Sequence, residues 1–221
     1  MYLLTDRKSF ADPSKAEARL RTIIEPYRSL FGKKLPKDQQ CWTLCGLLAE
    51  NGTLPKLSEL IQLVDSGLIT DDQYVGVEGN EQWYYENLKV VANSPYKCAK
   101  LFHGEITDIM DQELGKGKFN PGIVYLDTIS EPKHGSKRLV QTLGMLKYAK
   151  GPVLLVWNVV IRNGRANRSY SWQEVGEIIL KNPVYNFTIK GWKQYKGNLV
   201  AKYNGTGHSS TKMGTVILYK Q

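Results

Sequence analysis

YVGVEGN, residues 74–80, decides how the chain folds. Tyr74–Val77 has the residue types of a strand, and it stops at Glu78-Gly79-Asn80, which end strands and open loops. Upstream, Leu57, Leu60, Ile61, Val64 and Leu68 mark one face of a helix, preceded by the loop Cys45–Lys56 and the apolar run Cys41–Leu44. Downstream, Tyr84, Leu88 and Val91 predict a second helix that ends before Asn93-Ser94-Pro95. The order then repeats: a strand at Ala99–His103, a short helix at Ile106–Leu114, and a buried strand at Gly122–Leu126 that ends at Asp127. Leu139, Val140, Leu143 and Leu146 predict another helix, and Val153–Val160 another buried strand. Strands that alternate with helices imply a parallel sheet covered on both faces.

The two ends of the chain break this rhythm. Ser171-Trp-Gln-Glu174 is a capping box that opens a helix over Val175, Ile178 and Ile179, stopped by Asn182-Pro183. After it come only strand-like runs, Val184–Gln194, Leu199–Tyr203 and Met213–Tyr219, which predict an antiparallel edge. At the other end, Asp12-Pro13 opens a helix carrying Leu20, Ile23, Ile24, Tyr27 and Phe31, with Pro26 expected to kink or shorten it. Residues 1–38 read as a helical extension, a candidate protein-docking element, in front of an α/β domain over 39–221.

Composition narrows the class. The 221 residues are 42% hydrophobic and 23% charged, enough for a proper core and against wholesale disorder. No apolar run is long enough to span a membrane, and MYLLTDRKSF lacks the order of a signal peptide. The cysteines Cys41, Cys45 and Cys98 cannot form a full disulfide set, so an intracellular, cytoplasmic setting is expected, or a host cytoplasm for a viral protein. Cys41 and Cys45 lack partners for a zinc site and read as ordinary thiols, and no metal is expected.

The net charge of +9 is unevenly held: +4 over residues 1–40, −8 over 41–131 and +13 over 132–221. So basic a final segment points to a polyanionic partner, nucleic acid above all, or to a solvated face that only aids solubility. Within it, Arg162, Arg165 and Arg168 follow the fifth strand in a Gly/Asn-rich loop, where guanidinium groups can fork onto phosphate and Tyr170 can stack on a base. Lysines and aromatics also interleave between Lys190 and Tyr203, where guarding a sheet edge is the simpler account.

In an open parallel sheet, ligands bind beyond the carboxyl ends of the strands. Cys45-Gly46 stand there after the first strand, Glu78-Gly79 after the second, Glu105-Ile106 after the third and Asp127 after the fourth. A carboxylate after the second strand can accept both hydroxyls of a ribose. This order resembles the class I S-adenosylmethionine-dependent methyltransferases, with a Rossmann-like three-layer sandwich, over about residues 40–221. TLCG at Thr43–Gly46 stands where that family has its glycine-rich loop, and YVGVEGN is similar to its ribose-holding strand end. HGEITD, His103–Asp108, is similar to the adenine-lining segment, and IVYLDT, Ile123–Thr128, to the motif near the methyl group.

The resemblance implies S-adenosylmethionine as cofactor. Cys45 and Gly46 would bind its amino-acid part, Glu78 and Gly79 the ribose, and Glu105 and Ile106 the adenine. Asp127 would orient the amine or act near the acceptor, as the candidate catalytic residue. The first loop, LCGLLAENG, lacks the G-x-G spacing, and neither a [DNS]-P-P-[FYW] tetrapeptide nor a Pro-Cys dipeptide occurs. Amino-directed base methylation of the usual type and the cysteine route to pyrimidine C5 are therefore not supported. Two functions follow: a nucleic-acid methyltransferase, or a non-catalytic binding subunit of the same fold with a decayed cofactor site. A nicotinamide oxidoreductase is disfavoured by the absent G-x-G-x-x-G and by the hairpin end.

Overall fold

The computed structural model describes residues 13–44, 52–56, 58–127, 132–163, 168–169, 191–195, 202–204 and 212–221. The chain enters through helix α1 (Pro13–Arg19), a π-helical stretch (Leu20–Ile24) and helix α2 (Glu25–Phe31). Pro26 does not shorten this helix. Proline cannot donate the backbone bond that an α-helical turn needs, and the wider π turn before it, closed by Glu25 N–H on the Leu20 carbonyl, carries the helix past the ring.

Strands and helices then alternate: β1 (Gln40–Leu44), α3 (Glu59–Asp65), β2 (Tyr74–Glu78), α4 (Glu81–Ala92), β3 (Lys100–His103) and α5 (Ile106–Gly115). They continue with β4 (Pro121–Asp127), α6 (Pro132–Leu146) and β5 (Val153–Asn163). The remaining strands are β6 (Arg168–Ser169), β7 (Lys193–Gln194), β8 (Lys202–Asn204) and β9 (Lys212–Lys220). The sheet runs in the order β3-β2-β1-β4-β5-β9-β7, with β6 on β5 and β8 on β9. β1 to β5 are mutually parallel, whereas β9 is antiparallel to β5, pairing Val153 with Lys220 and Asn158 with Thr215. The expected sheet and antiparallel edge are both present. The capping box at Ser171 and the strand residues 184–190 lie outside the described residues.

Side chains alternate along each strand, so the sheet builds two cores. On one face Trp42, Val75, Val77, Val124, Leu126 and Trp157 pack under α5 and α6. On the other, Cys41, Tyr74, Ile123, Tyr125 and Val156 pack with Ile23, Ile24 and Tyr27 of the N-terminal helix and with Leu60 and Leu63 of α3. Helices on both faces make a three-layer α/β sandwich. On α4 the inward positions are Asn87 and Val91, so Leu88, expected on the core face, points outward. No helix among the described residues is long and apolar enough to cross a membrane.

Candidate cofactor site at the carboxyl ends of the strands

The strand order reverses between β1 and β4, the place where a parallel sheet opens a crevice beyond its carboxyl ends. Glu78 is the last residue of β2 and only 7% exposed. Its Oε1 accepts the Asn80 N–H at 2.7 Å, while Asn80 in turn caps α4 by accepting the Trp83 N–H at 3.0 Å. The corner is tied to the next strand by Gly104 N–H, which donates to the Glu78 carbonyl at 3.0 Å. Gly104 holds φ +144°, a conformation that favours glycine. A Cβ on Gly79 would meet nothing nearer than the Gly104 carbonyl at 3.8 Å, so the corner is open on that side.

The other oxygen, Glu78 Oε2, is buried and has no hydrogen-bond partner among the described residues. Burial lifts this carboxyl to about 7, against the pull of the Asn80 and Gly79 N–H groups and of His103 opposite it on β3. His103 in turn stacks on Tyr84, with ring centroids 5.5 Å apart. A buried acceptor without a donor is a costly arrangement, and a ligand hydroxyl would relieve it. This unpartnered acceptor suits a hydroxyl-bearing ligand such as a sugar.

The second half of the rim is a buried polar network. Asn158 of β5 donates to the Tyr125 hydroxyl at 2.7 Å and to Asp127 Oδ1 at 3.2 Å, and its own carbonyl accepts from Thr215 of β9 at 2.6 Å. Thr43 donates to the Tyr74 hydroxyl, which donates to Glu59 Oε1, each at 2.9 Å. Arg19 of α1, 4% exposed, joins the halves. Its Nε lies 3.9 Å from Glu59 Oε2, its Nη1 donates to Gln62 Oε1 at 2.9 Å, and Tyr125, Glu59, Asp127 and Tyr74 all hold its charge in place. Burial raises Glu59 despite Arg19 and raises Tyr125 well above its ordinary value.

The residues expected at the site are distributed as follows. Glu78, Gly79 and Asp127 stand on the rim at the ends of β2 and β4. Glu105 is also at the rim, but both of its oxygens are engaged, accepting from Nε and Nη2 of Arg138 on α6 at 2.6 Å each. Ile106 opens α5 with its side chain fully buried beneath the sheet, leaving its backbone N–H in the helix's first turn, where no intrahelical acceptor exists. Cys45, Gly46, Arg165 and Tyr170 lie outside the described residues. Arg162 does not follow the fifth strand. β5 runs on to Asn163 because β9 pairs with it as far as Arg162 and β6 pairs with Arg162 and Asn163, so that Arg162 sits opposite Ser169 and Lys212. Arg168 lies in the two-residue strand β6.

Sequence reasoning missed Arg19, Glu59, Tyr74, Tyr125 and Thr215. One signal was present: Arg19 falls on the helical stripe of Ala16 and Ile23, a charge on an apolar face. Among the described residues no cluster of three His, Cys, Asp or Glu could hold a metal ion.

No protein-family model matches the chain, and no curated protein matches it by sequence. Solved structures do. The O-methyltransferase from Bacillus cereus, crystallised in complex with SAH, is 12% identical over 93% of this chain and 81% of its own, with a TM-score of 0.54. This chain has a class I methyltransferase fold. The O-methyltransferase TomG from Streptomyces achromogenes, involved in tomaymycin synthesis and solved with SAM, covers 99% of this chain and 93% of its own at 11% identity and a TM-score of 0.48. The methyltransferase fold places Glu78 and Asp127 on either side of the point where the strand order reverses.

Proposed function

We propose that the protein is an S-adenosylmethionine-dependent methyltransferase whose acceptor is a nucleic acid. The observation that carries this reading is Glu78: a buried carboxylate at the end of β2, with one oxygen unpartnered among the described residues, in a fold shared with an O-methyltransferase solved with SAH. Glu78 would take the ribose hydroxyls, with Gly79 leaving room for the sugar. Cys45 and Gly46 would face the amino-acid part, and Ile106, through its backbone, the adenine. Asp127, held by Asn158, would orient the cofactor's amine or lie near the acceptor. Bound, the cofactor supplies an electrophilic methyl group, and the protein supplies alignment and electrostatics.

The acceptor class rests on charge. The last ninety residues carry +13, and Arg162, Arg165 and Arg168 are suited to phosphate, with Tyr170 to a base. The second reading, a non-catalytic binding subunit, is favoured by the missing G-x-G spacing and by Glu105, whose oxygens Arg138 already occupies. Calorimetric titration with S-adenosylhomocysteine separates the two. We expect binding that Glu78→Ala weakens at least a hundredfold with the melting transition still cooperative. Absence of binding at millimolar ligand would leave the binding subunit as the function.

A further inference from the structure

The opposite ends of the same strands carry a second concentration of charge, about 20 Å away along the seven-residue β4. The chain enters β1 after Lys34 and Lys37, β4 after Lys118 and β5 after Lys150. The antiparallel β9 finishes at this end with Lys220 opposite Val153, and β7 sets Lys193 against Tyr219. Because β1, β4, β5, β9 and β7 are neighbours in the sheet, these lysines form a row about 19 Å long. All are exposed except Lys220, which is half-buried, and none is in an ion pair among the described residues.

The row stands on a braced backbone. Asn120 accepts the Lys150 N–H at 3.1 Å on its side chain and donates to the Asp38 carbonyl at 2.9 Å, while its own carbonyl takes the Gln40 N–H at 2.9 Å. Gln39 reaches across to the Pro152 carbonyl at 3.1 Å, and a Cβ on Gly122 or Gly151 would lie within 2.8 Å of the Gln39 side chain. Loops before three strands are thereby fixed to one another. The carboxylates along the row are engaged: Asp38 by Asn120 at 3.2 Å and Glu113 by Lys116 at 2.8 Å. Asp71 and Asp72, ahead of β2, bound it on one side. Amid the lysines, Tyr148 is 50% exposed, with Lys147 Nζ 4.7 Å from its ring centroid.

We propose that this edge is a docking surface for single-stranded nucleic acid, anchoring the polymer at the end of the sheet away from the cofactor site. A linear row of lysines matches a phosphodiester chain, and an exposed aromatic ring beside them offers a platform for an unpaired base. A lipid surface fits less well, since Tyr148 is the single large apolar side chain exposed here among the described residues. The proposal deepens the acceptor reading and rests on it for the class of polymer. The cofactor plays no part in it.

The test uses fluorescein-labelled twelve-residue oligouridylate and oligothymidylate, followed by anisotropy over a range of salt. The edge pair Lys118→Glu with Lys150→Glu is compared with Lys56→Glu with Lys89→Glu, which changes the net charge equally but lies elsewhere. We expect the edge pair to weaken binding at least tenfold and to lower the salt slope by about two, and the other pair to weaken it less than threefold. Equal losses in the two pairs, binding of neither oligonucleotide, or binding only to phosphatidylserine vesicles would overturn the proposal. An unchanged edge pair beside a loss in Arg162→Ala with Arg168→Ala would also overturn it, while leaving a nucleic-acid acceptor intact. Failure of the S-adenosylhomocysteine titration would bear on the cofactor alone.

Discussion

The two faces of the central sheet are made by alternate residues of the same strands, yet they differ in kind. Beneath α5 and α6 the face is apolar to its full height, from Val153 to Trp157 and from Val124 to Leu126. The opposite face is apolar only in its lower part. Toward the carboxyl ends it becomes Thr43, Tyr125, Asn158 and Thr215, joined by the hydroxyl of Tyr74 reaching up from the start of β2 and closed from above by Arg19 and Glu59. Hydrophobic area stabilises the first face without regard to direction. The second is held by hydrogen bonds and one cation facing two carboxylates, so it is stable only in one geometry. That geometry sets Asp127 at the rim.

Substitutions can break this contrast, and the largest effect is expected at Arg19. Arg19→Met strands Glu59 in the interior and should cost about 3–5 kcal/mol in urea unfolding at neutral pH, most of it recovered by adding Glu59→Gln. Equal losses in single and double variants would show that the polar face is held by packing like the other. On the apolar face, Leu126→Ala should cost about 2–5 kcal/mol, and the loss should be the same at pH 6 and pH 8 because it leaves a cavity among apolar side chains. A loss that varies with pH would couple the two faces.

Asn158→Leu removes the donor to Tyr125 and Asp127 and the acceptor of Thr215. Unfolding should register about 1–3 kcal/mol, and a near-zero change would mean that these hydroxyls find other partners. The smallest effect is expected at Glu78. Its carboxyl titrates at about 7 in the fold against an ordinary 4.5. A raised acid favours the neutral form in the folded state, so its contribution to stability is present below about 4.5 and lost as pH rises through about 7. Glu78→Gln, which does not titrate, should therefore match the parent protein near pH 4.5 and exceed it by about 1–2 kcal/mol at pH 8. Parallel stability profiles would remove Glu78 from the list of groups strained by the site.

Much of this architecture could be read along the chain. Glu78 and Asp127 were legible because a strand and the polar residue that ends it are adjacent in sequence. The parallel order was legible because each strand is separated from the next by a helix. The partners of those residues were not. Arg138 meets Glu105 across 33 positions and Thr215 meets Asn158 across 57, and neither pairing has a local pattern. The extra length of β5 escaped for the same reason: Arg162 and Asn163 are strand residues only because β9 and β6 pair with them.

The net charge shows the same limit. The sequence located the excess of lysine and arginine in its final segment, but the sheet gathers Lys34, Lys37 and Lys118 from earlier segments with Lys150, Lys193 and Lys220 onto one edge. Periodicity, turn residues and apolar runs determined by themselves that this chain makes an α/β sandwich with carboxylates at its strand ends, since each acts over a few residues. Which face would be polar, that Arg19 would be buried against Glu59, and that lysines far apart in the chain would share an edge were decided only when the strands took their places. Long-range order follows from strand pairing and helix packing, and no window of the sequence contains both partners.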